Sequence, residues 1–240
     1  MGYQSRFERY EIKYLLTHAQ KDALLEYIRP YMALDQYGRT TIRNLYFDTE
    51  SYLLIRRSNE KPLYKEKLRV RSYCRAKGED TVFVEVKKKF KRVVYKRRLT
   101  MPQSEALAWL AGDDRFAPEG QIAREITYFR NYYGDLRPTV YLSYEREAFY
   151  SLDGSDFRLT LDENILARQE NITLDSEPSG LPLLPEGMVM MELKSPGALP
   201  LWIVRFLSEQ KIYKTSFSKY GNAYEKMLYQ GGICHVSGIV

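Results

Sequence analysis

Histidine and cysteine are nearly missing from this chain of 240 residues, which has two of each. His18 and His235, Cys74 and Cys234 stand far apart and fit no zinc-ligand spacing. That argues against a zinc site and a His-based triad, and two isolated thiols read as free ones in a reducing compartment. No apolar run has the length of a membrane span. The opening MGYQSRFERYEIKYLL lacks the apolar core of a signal peptide. Ser5 stands one position short of the residue preferred for myristoylation at Gly2, so the start reads as an ordinary soluble one. Internal repeats and low-complexity linkers are absent as well.

What is present is a large core and a surplus of positive charge. The chain is 44% hydrophobic and 14% aromatic, too rich for disorder. Its net charge of +6 favours anionic partners without choosing among them. The pattern predicts one α+β domain over 1–240, with a core of about 6–228 and a tail, GGICHVSGIV, that is apolar enough to pack on the domain or a partner. About eight mostly antiparallel strands are expected, with helices inserted between them. Thr17 and Gln20 have capping-box spacing at the start of a helix. KGED (77–80) reads as a hairpin turn, and Gly112 and Gly134 as helix stops. Residues 171–187 read as a loop.

The strands share one feature. In KEKLRVRSY (65–73), a period of two puts Lys65, Lys67, Arg69 and Arg71 on one face and Glu66, Leu68, Val70 and Ser72 on the other. Arg9, Glu11 and Lys13 oppose Tyr10, Ile12 and Tyr14. Glu85, Lys87 and Lys89 oppose Val82, Val84 and Val86. Arg158, Thr160 and Asp162 oppose Phe157, Leu159 and Leu161, and Glu192 and Lys194 oppose Val189, Met191 and Leu193. Arg146 shares its face with Val140, Leu142 and Tyr144. One arrangement is an open sheet with a solvated charged face. The sharper one is a closed eight-stranded antiparallel β-barrel with a charged lumen and helices packed outside. Two like charges about 4 Å apart repel by roughly 4 kcal/mol at an effective dielectric near 20, so such a lumen calls for a polyanion. Tyr46 and Asp48, in LYFDT, stand at a strand end, either near a ligand or as the cap of the next turn. Lys88, Lys89, Lys91 and Arg92 form a basic run suited to a solvated hairpin end or to an exiting anionic chain.

In order along the chain, ERYEIKY, LYFDT, KLRVRSY, VFVEVKKK, YEREAF, FRLTLDENI, MMELK and SFSKYGNAYEK resemble the VTC (vacuolar transporter chaperone) polyphosphate polymerase domain. That domain belongs to the CYTH-like, or triphosphate tunnel metalloenzyme, superfamily. The resemblance implies an eight-stranded tunnel and transfer of the ATP γ-phosphate to a growing polyphosphate chain with Mn²⁺ or Mg²⁺. It carries the tunnel's basic residues onto Lys13, Arg69, Arg71, Lys87, Lys96, Arg146, Arg158 and Lys219, and its metal-binding glutamate onto Glu192. Arg69, Arg71, Arg146 and Arg158 are then expected to clamp phosphates, and Lys13, Lys87, Lys96 and Lys219 to hold triphosphate and product. Lys67, Lys194 and Tyr46 join them as substrate-binding candidates. Glu11 or Glu85 joins Glu192 as a metal-ligand candidate. Glu11 and Glu85 have an alternative role as ion-pair partners that orient the lysines, and Asp162 one as an orienter or ligand. The superfamily's opening E-x-E-x-K reads here as Arg9, Glu11 and Lys13, which disfavours the triphosphatase and cyclase branches and any need for two metals.

The expected partners are thus ATP and polyphosphate or triphosphate, with room for a membrane-protein partner. The expected location is cytoplasmic, at the inner face of a membrane where such a partner exists. An inorganic triphosphatase and a non-catalytic polyphosphate- or nucleotide-binding module are the alternatives. Nucleic acid is not expected, because no recognition-helix or RRM-type pattern is visible and duplex DNA does not fit an eight-stranded tunnel.

Overall fold

The computed structural model describes residues 10–91 and 93–231. Gly2, Ser5, Arg9, Arg92, Cys234, His235 and most of the tail lie outside the described residues. Cys74 is a free, exposed thiol. The strands are β1 (Tyr10–Thr17), β2 (Met32–Leu34), β3 (Thr40–Asp48), β4 (Tyr64–Ser72), β5 (Thr81–Phe90), β6 (Val93–Pro102), β7 (Arg137–Ser151), β8 (Arg158–Arg168), β9 (Leu181–Pro182), β10 (Met188–Ser195) and β11 (Lys214–Thr215). Their hydrogen-bonded path runs β11-β1-β10-β8-β7-β3-β4-β5-β6, with β2 on β7 and β9 on β8. The chain divides into two compact units.

The first unit comprises Met1–Thr41, Tyr144–Ile165 and Leu184–Phe217. It holds β1 (Tyr10–Thr17), α1 (His18–Ile28), β2 (Met32–Leu34), the C-terminal part of β7 (Arg137–Ser151), most of β8 (Arg158–Arg168), β10 (Met188–Ser195), α5 (Leu201–Glu209) and β11 (Lys214–Thr215). Tyr14 and Leu16, Leu159 and Leu161, and Met191 and Leu193 alternate toward a core closed by Leu24 and Ile28 of α1 and Ile203 and Phe206 of α5. The capping box forms as the spacing predicts. The Gln20 amide donates to Thr17 Oγ1 at 3.2 Å, and Gln20 Oε1 accepts from the Thr17 amide at 3.0 Å.

The second unit comprises Ile42–Ser143, Leu166–Leu183 and Ser218–Val240. It holds most of β3 (Thr40–Asp48), α2 (Leu53–Asn59), β4 (Tyr64–Ser72), β5 (Thr81–Phe90), β6 (Val93–Pro102), α3 (Gln103–Leu110), α4 (Gln121–Tyr133), the start of β7, β9 (Leu181–Pro182) and α6 (Lys219–Gly231). Leu68 and Val70 of β4 and Val82, Val84 and Val86 of β5 pack under Trp109 of α3 and Ile126 and Phe129 of α4. The turn at 77–80 closes with the Asp80 amide on the Lys77 carbonyl at 2.9 Å. Gly134 ends α4 at φ 70°, a conformation that costs a residue without a Cβ little.

The closed eight-stranded barrel is corrected on two counts. There are eleven strands, and β11 and β6 end an open path with no ladder joining them among the described residues. The eight strands of eight residues or more are the ones that alternation reveals; β2, β9 and β11 have two or three residues, too few to show a period. Closure needs a full-length ladder, and β11 pairs only at Lys13 and Tyr14 of β1.

Candidate functional site

Register builds the second unit's charged face. Lys67 of β4, Lys87 of β5 and Lys96 of β6 stand side by side in one cross-strand row, and Arg69, Glu85 and Arg98 in the next row but one along each strand. Positions two apart share a face, so the helices on the other side leave a grid of five cations around one carboxylate. Like charges directly opposite destabilise a sheet, and this grid places three lysines in that relation.

Glu85 is 1% exposed and is the hub. It accepts from Arg69 Nε at 2.7 Å, Arg98 Nε at 2.7 Å and Lys96 Nζ at 2.8 Å, and Arg71 Nε lies 3.8 Å away. Burial pushes its carboxyl up, but the attraction of Arg69, Arg71 and Lys96 outweighs that and holds it well below the usual carboxylate range. Desolvation, reinforced by Arg69 and Arg71 against the pull of Glu85, lowers the Lys96 ammonium to about 8. Tyr46, Lys67, Arg69, Glu85, Lys87 and Lys96 line one cleft.

Aromatic rings floor this set. Arg69 Nη1 donates to Tyr46 Oη at 3.1 Å, and the Tyr46 ring stacks on Tyr220 at 4.5 Å. Lys67 Nζ lies 5.7 Å from the Tyr220 ring and 3.1 Å from Ser218 Oγ. Tyr220 Oη donates to Asp48 at 2.9 Å. The Asp48 carboxylate also accepts the Thr49, Leu54 and Ile55 amides at 2.8, 2.8 and 3.0 Å, so it does cap the turn into α2. Arg71 is buried, with Nε on Asn44 Oδ1 at 3.1 Å. Lys219 is the first residue of α6.

The first unit's set is mixed in sign. Lys13 of β1 pairs in register with Glu192 of β10 and Glu192 with Thr160 of β8, while Glu11, Lys194 and Arg158 form the neighbouring series. Lys13 Nζ donates to the Phe217 carbonyl at 2.7 Å and lies 3.5 Å from Glu192 and 3.6 Å from Glu11. Arg146 grips Asp162 with two hydrogen bonds of 2.6 and 2.7 Å and lies 3.8 Å from Glu192. Asp162 keeps that guanidinium firmly charged against the opposing effect of burial. Lys194 Nζ is 3.6 Å from Glu192, and burial together with nearby Arg146 lowers its ammonium. Arg158 is the outlier, with its side chain 59% exposed and facing Asp156 at 3.4 Å.

A divalent ion fits the first unit's donors in one mode. Among the described residues no three acidic, His or Cys side chains gather into a metal cage. Glu11 and Glu192 do converge on a single cation, the Lys13 ammonium. The buried Thr160 hydroxyl in Glu192's row has no hydrogen-bond partner among the described residues. Carboxylate and hydroxyl oxygens suit Mg²⁺ or Mn²⁺ that takes one or two protein ligands and the rest from phosphate and water.

Sequence reasoning missed Arg98 and Tyr220. Arg98 was within reach, since in KRR it lies two residues beyond Lys96 and so shares its face. Tyr220 acts through a stacking contact that no spacing announces.

The VTC domain profile matches residues 8–228. The chain belongs to the VTC domain family. No curated protein sequence matches it. Among solved structures, this VTC domain is similar to a candidate adenylyl cyclase from Hippeastrum with a dominant triphosphatase activity, at 14% identity and TM-score 0.55, over 90% of this chain and 95% of that one. Candidate adenylate cyclases from Vibrio parahaemolyticus (14% identity, TM-score 0.48, 94% and 99% covered) and Bacillus halodurans (14%, 0.47, 96% and 92%) are also similar. The VTC domain thus shares its antiparallel α+β fold with the Hippeastrum protein. No described helix is long and apolar enough to cross a membrane.

Proposed function

We propose that this VTC domain is a polyphosphate polymerase that moves the γ-phosphate of ATP onto the end of a polyphosphate chain. The observation that carries the reading is the second unit's grid, in which Lys67, Lys87, Lys96, Arg69 and Arg98 share two neighbouring cross-strand rows with Glu85. Family membership supplies the rest. In the reaction a terminal phosphate oxygen of the chain forms a bond to the γ-phosphorus, the bond from that phosphorus to the β–γ bridging oxygen breaks, and ADP leaves. The acceptor is already an anion, so no Ser or Cys nucleophile is needed. Arg69 and Arg98 are oriented by Glu85 to neutralise phosphate oxygens, and Lys67, Lys87 and Lys96 hold neighbouring phosphates as point charges. Arg71, fixed by Asn44, adds its field, and Lys219 its charge at the head of α6. In the first unit Lys13, Arg146 and Lys194, each beside Glu192, turn to phosphate when a metal takes up that carboxylate. Glu192 with Glu11 would hold Mn²⁺ or Mg²⁺, which would supply neutralisation of phosphate charge.

A triphosphatase is the second reading, favoured by the likeness to the Hippeastrum protein; water then replaces the chain end as acceptor. Product analysis with ATP and Mn²⁺ separates the two. Polyphosphate ladders with ADP establish the polymerase, and ADP with orthophosphate alone establishes the hydrolase. Polyphosphate binding without ATP turnover leaves a binding module. Glu192→Gln should cut metal-stimulated turnover on the order of 100-fold; unchanged turnover removes Glu192 from the metal site.

A further inference from the structure

On the helix-covered side of the second unit, away from the cationic grid, aromatic rings run out to the end of the sheet. Tyr64 of β4 pairs in register with Phe90 of β5, and Lys88 of β5 with Tyr95 of β6. The Lys91 amide donates to the Leu63 carbonyl at 2.6 Å, bringing Leu63 to the same hairpin end. From there the aromatics continue onto α4. Tyr64 and Tyr133 both donate to the buried Glu66 carboxylate, at 2.5 and 2.6 Å. The Tyr133 ring lies 5.0 Å from Tyr132, which lies 6.2 Å from Tyr128. These rings are not core. Leu63, Tyr128 and Tyr132 are 70%, 68% and 64% exposed, and Tyr64, Phe90 and Tyr95 are close to half exposed. A contiguous exposed band of this kind marks an interaction surface.

Its flanking charge is basic. Lys88 shares the face of Tyr64 and Phe90, Lys91 stands in the turn that follows, and Lys89 lies on the opposite face across from Lys65; none of the three forms an ion pair among the described residues. Glu66 is taken up by its two tyrosines, and Glu125 of α4 lies 3.5 Å from Arg97. Tyrosine, with an apolar ring and a polar tip, suits the boundary between water and hydrocarbon. Lysines beside it suit anionic headgroups. A polyanion alone would have no use for Leu63 and Phe90.

We propose that the hairpin end and the α4 tyrosines form a docking surface for an anionic lipid bilayer, with Leu63 and Phe90 entering the headgroup region and Lys88, Lys89 and Lys91 bound to phosphate-bearing headgroups. The test is co-sedimentation of the full chain with phosphatidylcholine vesicles, with and without phosphatidylserine. The expected result is binding that requires phosphatidylserine and weakens with salt. Combined Lys88→Gln, Lys89→Gln and Lys91→Gln should weaken it by roughly 100-fold, at about fivefold per lysine. Leu63→Ser with Phe90→Ser should weaken it about tenfold or more. All five positions are solvent-exposed or partly so, and unchanged circular dichroism confirms that the variants fold. Four results overturn the proposal: no vesicle binding by the parent chain at low salt, equal binding to neutral vesicles, indifference to both variants, or loss of polyphosphate affinity in the lysine variant with no vesicle binding. The last would assign the lysines to the polyanion, and capture of an acidic protein by the same face without vesicle binding would assign the band to a protein partner.

Discussion

The two units carry the same strand alternation and put it to opposite electrostatic use. In the second, two cross-strand rows set five cations beside one carboxylate, Glu85, so that block carries a strong positive excess. In the first, Lys13, Lys194 and Arg146 meet Glu11, Glu192 and Asp162 in equal numbers, and the set is nearly neutral by itself. A basic strand in a sequence therefore does not define its task. The carboxylates across the ladder do, since they set the net charge that a row of cations carries.

The sharpest way to break that contrast is to remove a carboxylate from each side. Glu85→Gln removes the buried carboxylate shared by Arg69, Lys96 and Arg98 and should cost about 3 kcal/mol of stability, the low end for a broken buried ion pair because Lys96 and Arg98 reach solvent. Asp162→Asn, which strips Arg146 of its bidentate partner, should cost a similar amount. Added polyphosphate should raise the melting temperature of Glu85→Gln more than that of Asp162→Asn, because ligand binding to the native state stabilises it. Equal gains in the two variants would dissolve the distinction. A smaller effect probes the first unit's frame alone. Thr17→Ala removes the capping box of α1 and should cost about 1 kcal/mol in chemical denaturation, with polyphosphate affinity unchanged.

The smallest expected effect is a pH dependence set by Lys96 of the second unit. Lys96 has its folded-state value lowered to about 8 from an ordinary 10.5. Below about 8 both folded and unfolded chains carry the proton. Between there and 10.5 the unfolded chain binds more protons, so this residue makes stability rise with pH across that window. Triphosphate affinity should move the other way, falling a few-fold as Lys96 loses its charge. Calorimetric titration across the window reads both the affinity and the proton uptake on binding above pH 8. Lys96→Arg, which stays charged, should flatten the profile. A profile as steep in that variant as in the parent would clear Lys96 of the effect.

Much of the fold was legible because a period of two is a strong signal over eight or more residues. Leu68, Val70, Val82, Val84 and Val86 announced the core face, and the same count placed the charges opposite. The closed barrel was overreach, since alternation reports which side a residue faces and not whether the last strand finds the first. At the site, Glu85 was readable both as an ion-pair partner and as a metal ligand. Register decides for the ion pair by setting it between Arg69 and Arg98. Arg158 shows the limit of motif transfer: it sits in register beside Lys194, yet its side chain is mostly in solvent.

The place of β6 has one more consequence. As the last strand on the hydrogen-bonded path, it offers one side of its backbone to any extended chain that arrives. Its middle, Lys96-Arg97-Arg98, repels a second copy of itself, so residues proposed to hold phosphate would also keep the molecules apart. A guard made of charge holds only while the charge is unspent. Saturation with a long polyanion neutralises the edge and tethers several copies along one thread, so the loaded protein, not the empty one, is the form most exposed to strand-to-strand association.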